Sequence, residues 1–245
     1  MIYYHRGDTF FIHFWRIPVK KMILWHGSSK IIEHPRYGAG KRFNDYGQGF
    51  YCTEHEELAK EWACMELPGG YANRYQIDVS GLKILNLQEP SYTVLHWLAV
   101  LSANRKFQPE TALSQQGLVY LQTYFLPDLD QYDLIRGYRA DDSYFSFARA
   151  FVGNAISYRQ LSESMYLGEL GEQIVLHSDT AFERILFEGF EPADGSIYYP
   201  KRKQRDESAR LKYRQLAMQT DLDGIYMRDI LRDEIKPGDK RLDKQ

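Results

Sequence analysis

The apolar runs of this chain are short, and turn-forming residues cut them off. "MILWH" (22–26) breaks at Gly27-Ser28, and "GFYCT" (49–53) follows a loop, 35–50, rich in glycine, Asn and Asp. Runs of about five β-favouring residues bounded in this way read as short strands. "RYQIDV" (74–79) alternates like a half-buried strand, and "KILNL" (83–87), "YDLIRGYRA" (132–140) and "EQIVLHS" (172–178) add strand or strand-and-turn. Segments with helical character lie between them. Residues 54–67 set Leu58 and Trp62 one turn apart behind acids, and 91–126, 141–152 and 156–167 read as helical. Ser178 is placed to cap a helix over 178–190. A charged, turn-rich break, a helical tail over about 206–218 and "GIYMRDIL" (224–231) complete the pattern. Short strands mixed with separate helices predict an α+β fold.

The 245 residues fit one large domain, or one domain with an appendage. The expected division is an N-terminal extension over 1–21, a domain over 22–190, and a C-terminal helical extension over 191–245 packed on that domain. A formal charge of −2 gives no whole-chain signature for nucleic acid or an anionic membrane. "KRKQR" (201–205) is a local basic run, most simply solvated. Cys52 and Cys64 form neither a disulfide framework nor a zinc pattern, which predicts free thiols in a reducing, cytoplasmic setting. No apolar stretch reaches the roughly 18 residues of a membrane span. "TFFIHFW" near the start is short, carries His13 and lacks a small-residue cleavage site, so it does not read as a signal peptide. The 19 tyrosines suit the stacking of planar ligands and equally suit an ordinary core.

"LWHGSS" and "DYGQGFYCT" place His26 and Tyr51 about 25 residues apart, and Glu172-Gln173 opens a late strand. Together these resemble the His-Tyr-Glu signature of the ADP-ribosyltransferase superfamily, of the diphtheria-toxin and poly-ADP-ribose-polymerase type. More narrowly, the chain resembles the bacterial family DUF3990 over roughly residues 22–190. The resemblance implies a split β-sheet core, a helical insertion, and NAD bound as substrate in a cleft between two small sheets. His26 would then bond a ribose hydroxyl, Gly27 would let bare backbone approach the nicotinamide carboxamide, Ser28 would add a hydroxyl, and Tyr51 would stack under nicotinamide. The structural alternatives are that His26 and Gly27 merely end a strand, and that Phe50 and Tyr51 point to opposite faces of one.

Cleaving the nicotinamide–ribose bond builds positive charge on the sugar, so the third position calls for a carboxylate. The resemblance selects Glu172 as the catalytic partner of His26 and Tyr51, with Glu169 a weaker candidate. Side chains on a strand alternate, so Glu172 and Gln173 face opposite ways. An inward Gln173 would put an amide in the carboxylate's place, able to hydrogen-bond but without charge. Arg139 is a candidate for the pyrophosphate, and Lys41, Arg42 and Asn44 for a phosphate or an adenine edge, against the simpler reading of a solvated surface. Asp141 and Asp142 read as caps of the following helix, and His96 and Trp97 as core or interface.

The resulting expectation is an NAD-dependent mono-ADP-ribosyltransferase acting on a protein, nucleic acid or small-molecule acceptor. Small stand-alone chains of this type resemble toxins of toxin–antitoxin or phage-defence loci, which implies a neutralising antitoxin protein. The alternative is the same fold with decayed chemistry, acting as a binding module. A third use, on the 2′-phosphate of tRNA, needs an array of basic residues around the site, and none stands out along the chain.

Overall fold

The computed structural model describes residues 20–65, 68–140, 142–165 and 171–243. The short apolar runs become strands of two sheets. In the first sheet β1 (Lys21–Ser28) pairs antiparallel with β3 (Gly69–Asp78), which pairs antiparallel with β7 (Ile185–Asp194). The second sheet runs in the order β2 (Phe50–Cys52), β6 (Glu172–Leu176), β5 (Leu134–Tyr138), β4 (Ile84–Asn86) and is parallel only between β4 and β5. The sheets are stitched together at one point. Trp25 N–H donates to the Thr53 carbonyl at 2.7 Å, and Thr53 N–H returns the bond at 2.9 Å.

Alternation decides which side chains fill the space between the sheets. Leu24, Tyr75 and Ile77 from the first sheet meet Phe50, Cys52, Leu134, Ile174 and Leu176 from the second. The intervening residues Ile135 and Val175 face the other way. They join the larger core made with α2 (Val94–Asn104), α3 (Ala112–Tyr124), α4 (Asp142–Val152), α5 (Tyr158–Ser164) and α8 (Met227–Arg232). Helix α2 starts at a reciprocal cap: Leu95 N–H donates to Thr93 Oγ1, and Thr93 N–H donates to His96 Nδ1 at 2.9 Å. His96 and Trp97 are buried, as the apolar setting of that helix predicts.

Helix α1 (Glu56–Ala63) lies against β1, closely enough that a side chain at position 27 would collide with it. It ends four residues short of the expected 67, and residues 66–67 lie outside the described ones. The helix expected over 178–190 is shorter. Ser178 Oγ does accept from Ala181 N–H, but α6 (Asp179–Glu183) stops after five residues and the chain turns into β7. "ILFEGF" alternates, with Ile185 and Phe187 on the core and Leu186 exposed, so pairing with β3 overrides the helical reading. The expected break beyond it is also a correction. Asp194 accepts from Ser196 N–H at 2.8 Å and starts α7 (Gly195–Ala217), which keeps Pro200 in its second turn.

Three of the four cations in "KRKQR" are ion-paired on α7: Arg205 to Glu61 at 2.7 Å, Lys201 to Glu57 at 3.4 Å and Lys203 to Glu207 at 3.9 Å. Arg205 and Lys201 thus tie α7 to α1, while Lys203 pairs within α7. Cys52 and Cys64 are free and buried. Among the described residues no helix is long and apolar enough to cross a membrane.

Candidate functional site

A cleft of about 740 Å³ opens where the end of β1, the loop before β2, the end of β5 and the start of β6 converge. That volume lies within the range of small-molecule sites. His26, Gly27 and Ser28 line it from β1, Tyr51 from β2, Gln173 from β6, and Arg139 from the segment after β5.

His26 is fixed from behind. Its Nδ1 lies 2.7 Å from the Tyr51 carbonyl. A carbonyl only accepts, so Nδ1 carries the proton and the Nε2 of the neutral ring is an acceptor. The ring stacks on Phe50 with centroids 4.3 Å apart. Burial pushes the imidazole below its usual 6.5, against the weaker upward pull of the Tyr51 carbonyl, and so holds it neutral at pH 7.

Tyr51 lines the cleft and packs against the larger core while its hydroxyl is engaged in the turn before it. The hydroxyl donates to the Gly47 carbonyl at 2.6 Å and accepts from Tyr46 N–H at 3.0 Å, closing the turn before β2. Gly47 takes φ +78° there, a conformation that glycine adopts without strain. Burial raises the phenol pKa, so the hydroxyl stays protonated and acts as a structural tie.

The strand β6 brings Gln173, not Glu172, to the cleft. Gln173 is buried, pairs with Gly137 across β5, and donates its Nε2 to Asp45 at 2.9 Å. Glu172 points the other way, into an ion pair with Arg136, whose guanidinium also holds Glu54 at 2.8 Å. The alternation that makes them neighbours in sequence separates them in space. The expectation of Glu172 beside His26 and Tyr51 is thus corrected to Gln173. Glu169 and Asp141 lie outside the described residues.

A family model described as a protein of unknown function, DUF3990, matches residues 22–187. The chain belongs to the DUF3990 family. No curated protein and no solved structure matches it.

The DUF3990 cleft also contains residues that the motifs did not single out. Asp45 is 9 % exposed. Its Oδ2 accepts from Ala140 N–H and from Gln173 Nε2, each at 2.9 Å, and its Oδ1 accepts from Arg105 at 3.2 Å. Burial raises its pKa, while Gln173, the Ala140 N–H and Arg105 pull it back down. Asp45 was visible as the first residue of "DYGQGFY", where an acid before a glycine turn reads as loop chemistry. Trp62 lines the cleft from α1, with the Arg139 guanidinium 4.6 Å from its ring centroid and its own Nε1 buried without a hydrogen-bond partner among the described residues.

Arg36, Lys41, Arg105 and Arg139 line the cleft, and Asn44 with them. These four cations come from three separate stretches of sequence, so folding assembles a basic array that does not stand out along the chain. Gly27 has a second duty. A Cβ there would stand 2.0 Å from the Ala59 carbonyl oxygen, so its bareness is required by α1 as much as by any ligand.

Proposed function

We propose that the cleft of this DUF3990 protein binds NAD and transfers its ADP-ribose unit once to an acceptor, in the manner of the ADP-ribosyltransferase superfamily. One observation carries the reading: His26, Tyr51 and Gln173 line a single cleft together, among the described residues, with four cations and one carboxylate, Asp45. A positive, partly enclosed lining favours a diphosphate over a neutral ligand. His26 Nε2 accepts from a ribose hydroxyl, Tyr51 presents a ring face to nicotinamide, and Arg139 with Lys41 balances the diphosphate.

In the proposed reaction the bond between nicotinamide nitrogen and ribose carbon breaks, and its electron pair leaves with nicotinamide. The acceptor's nucleophilic atom forms the new bond to that carbon and releases its proton. Gln173 contributes a carbonyl dipole to the cationic sugar in place of a full charge, so turnover is slow beside an enzyme with a carboxylate there. The chain is incubated with NAD and released nicotinamide is measured against His26→Ala and Gln173→Ala. Release that drops at least tenfold in both variants supports transfer or hydrolysis at this cleft. Release equal in all three proteins removes the reading.

A second reading is favoured by the amide at Gln173: a binding module that holds NAD without cleaving it. Calorimetric NAD binding by wild type with no nicotinamide release supports this module over the enzyme. A toxin role neutralised by a partner protein belongs to the first reading. It is tested by whether induced expression arrests bacterial growth in wild type but not in His26→Ala.

A further inference from the structure

Gln173 donates through Nε2 to two groups that accept, Asp45 Oδ2 at 2.9 Å and the Tyr138 carbonyl at 3.3 Å, and also hydrogen-bonds the Tyr46 side chain. An amide held this way has one orientation, with Oε1 turned away from both partners. Asp45 is itself held on three sides, by Gln173, the Ala140 N–H and the Arg105 guanidinium. Both side chains line the cleft, and Gln173 is 3 % exposed. We propose that Asp45 is a positioning residue: its carboxylate locks the Gln173 amide so that Oε1, a neutral acceptor, is the face the ligand meets. For its ligand this rests on the NAD reading; for the lock itself it does not.

Two consequences follow from the chemistry. The part of the ligand opposite Gln173 is a donor, a hydroxyl or an amide N–H, or a centre that gains positive charge, such as the sugar of the proposed reaction. A glutamate at 173 would set two carboxylates at hydrogen-bonding distance in a buried place, which forces one of them to keep its proton. An amide at 173 is therefore what a cleft already holding Asp45 can accommodate without a shared proton. The other charged or titratable groups around Asp45 are Arg105, Arg139, Tyr46 and Tyr51.

The test combines a double-mutant cycle with a direct look at the amide. NAD binding is measured by calorimetry for Asp45→Asn, Gln173→Ala and the double variant. If Asp45 acts through Gln173, each single change weakens binding about tenfold and the double is no weaker than Gln173→Ala; losses that multiply overturn the proposal. In ¹⁵N–¹H spectra of the full chain, the Gln173 side-chain NH₂ pair is shifted and slow to exchange in wild type. In Asp45→Asn it moves toward the solvent-exposed glutamine positions, and an unmoved pair overturns the proposal. If Asp45→Asn does not fold, Gln173→Ala still decides, because losing the amide donor must raise the titration midpoint of the Asp45 carboxyl in ¹³C spectra; an unmoved midpoint overturns the lock. If wild type does not bind NAD at all, the NAD reading fails while both spectra still decide the lock.

Discussion

His26 donates its Nδ1 hydrogen to the backbone carbonyl of Tyr51, so the ring of one motif is held by the main chain of the other. The Trp25–Thr53 bridge fixes the same two segments one residue back and two residues on. The geometry of the cleft is thus a property of two joined strands, and the side chain of Tyr51 can change without freeing the imidazole.

Neutral His26 makes a pH prediction. Its folded pKa lies below 6.5 because burial dominates, so in the unfolded chain the ring takes its proton first. The stability it contributes is complete above pH 6.5 and is lost as pH falls from 6.5 through the lower folded value. On the proposed NAD reading, affinity for NAD should follow the same course, because protonation turns Nε2 from acceptor to donor. Imidazole ¹H shifts followed across pH 4 to 8, alongside calorimetry with NAD, check this (roughly the window set by an ordinary His pKa). A midpoint above 6.5 would contradict it.

Exchanging the neighbouring residues of β6 should have unequal effects. Glu172→Gln removes a partly exposed ion pair with Arg136 and should cost at most about 1 kcal/mol, with NAD affinity changed by less than about twofold. Gln173→Ala removes a buried side chain from the cleft and should weaken NAD about tenfold, or about 1.4 kcal/mol. Denaturant titration and calorimetry on the two variants read both numbers. Equal losses of affinity would show that the faces of this strand do not divide the roles.

Gly27→Ala should be costly although it adds one methyl group. The new carbon would stand 2.0 Å from the Ala59 carbonyl and 2.7 Å from the Ala63 nitrogen, both backbone, which cannot swing aside. Helix α1 must move off β1, at roughly 3 kcal/mol by the usual cost of overpacking. Urea unfolding measures it, and a change under about 0.5 kcal/mol would mean that the helix slides freely.

Much of this was legible before folding, and the remainder shows why some was not. Strand periodicity and turn formers located β1, β2 and β6, because those signals are local. Residues 178–190 were misread because "AFERILFEGF" satisfies both periods for a few residues, and only the available edge of β3 decides between them. The motifs point to His26 and Tyr51, but the resemblance selects Glu172 where the fold turns Gln173 to the cleft, since alternation says that the two differ in face and not which is inward. Asp45 owes its role to Gln173, 128 residues away, and the cations of the cleft are scattered over Arg36, Lys41, Arg105 and Arg139. Such groupings leave no periodic trace along the chain.

Arg205 provides the last prediction, and it separates a structural from a nucleic-acid role for the basic run. Its guanidinium grips Glu61 through two nitrogens, at 2.9 Å and 2.7 Å, and the Glu61 side chain is only 6 % exposed. Arg205→Ala leaves a buried carboxylate without its cation, which should cost about 3 kcal/mol and lower the melting temperature by roughly 6–12 °C. Glu61→Gln in the same chain removes the stranded charge and should restore part of that loss, whereas a surface cation used for RNA would show no such rescue. Melting curves of the two single variants and the double decide it, and a double that melts below Arg205→Ala would show that Glu61 and Arg205 do not act as a pair.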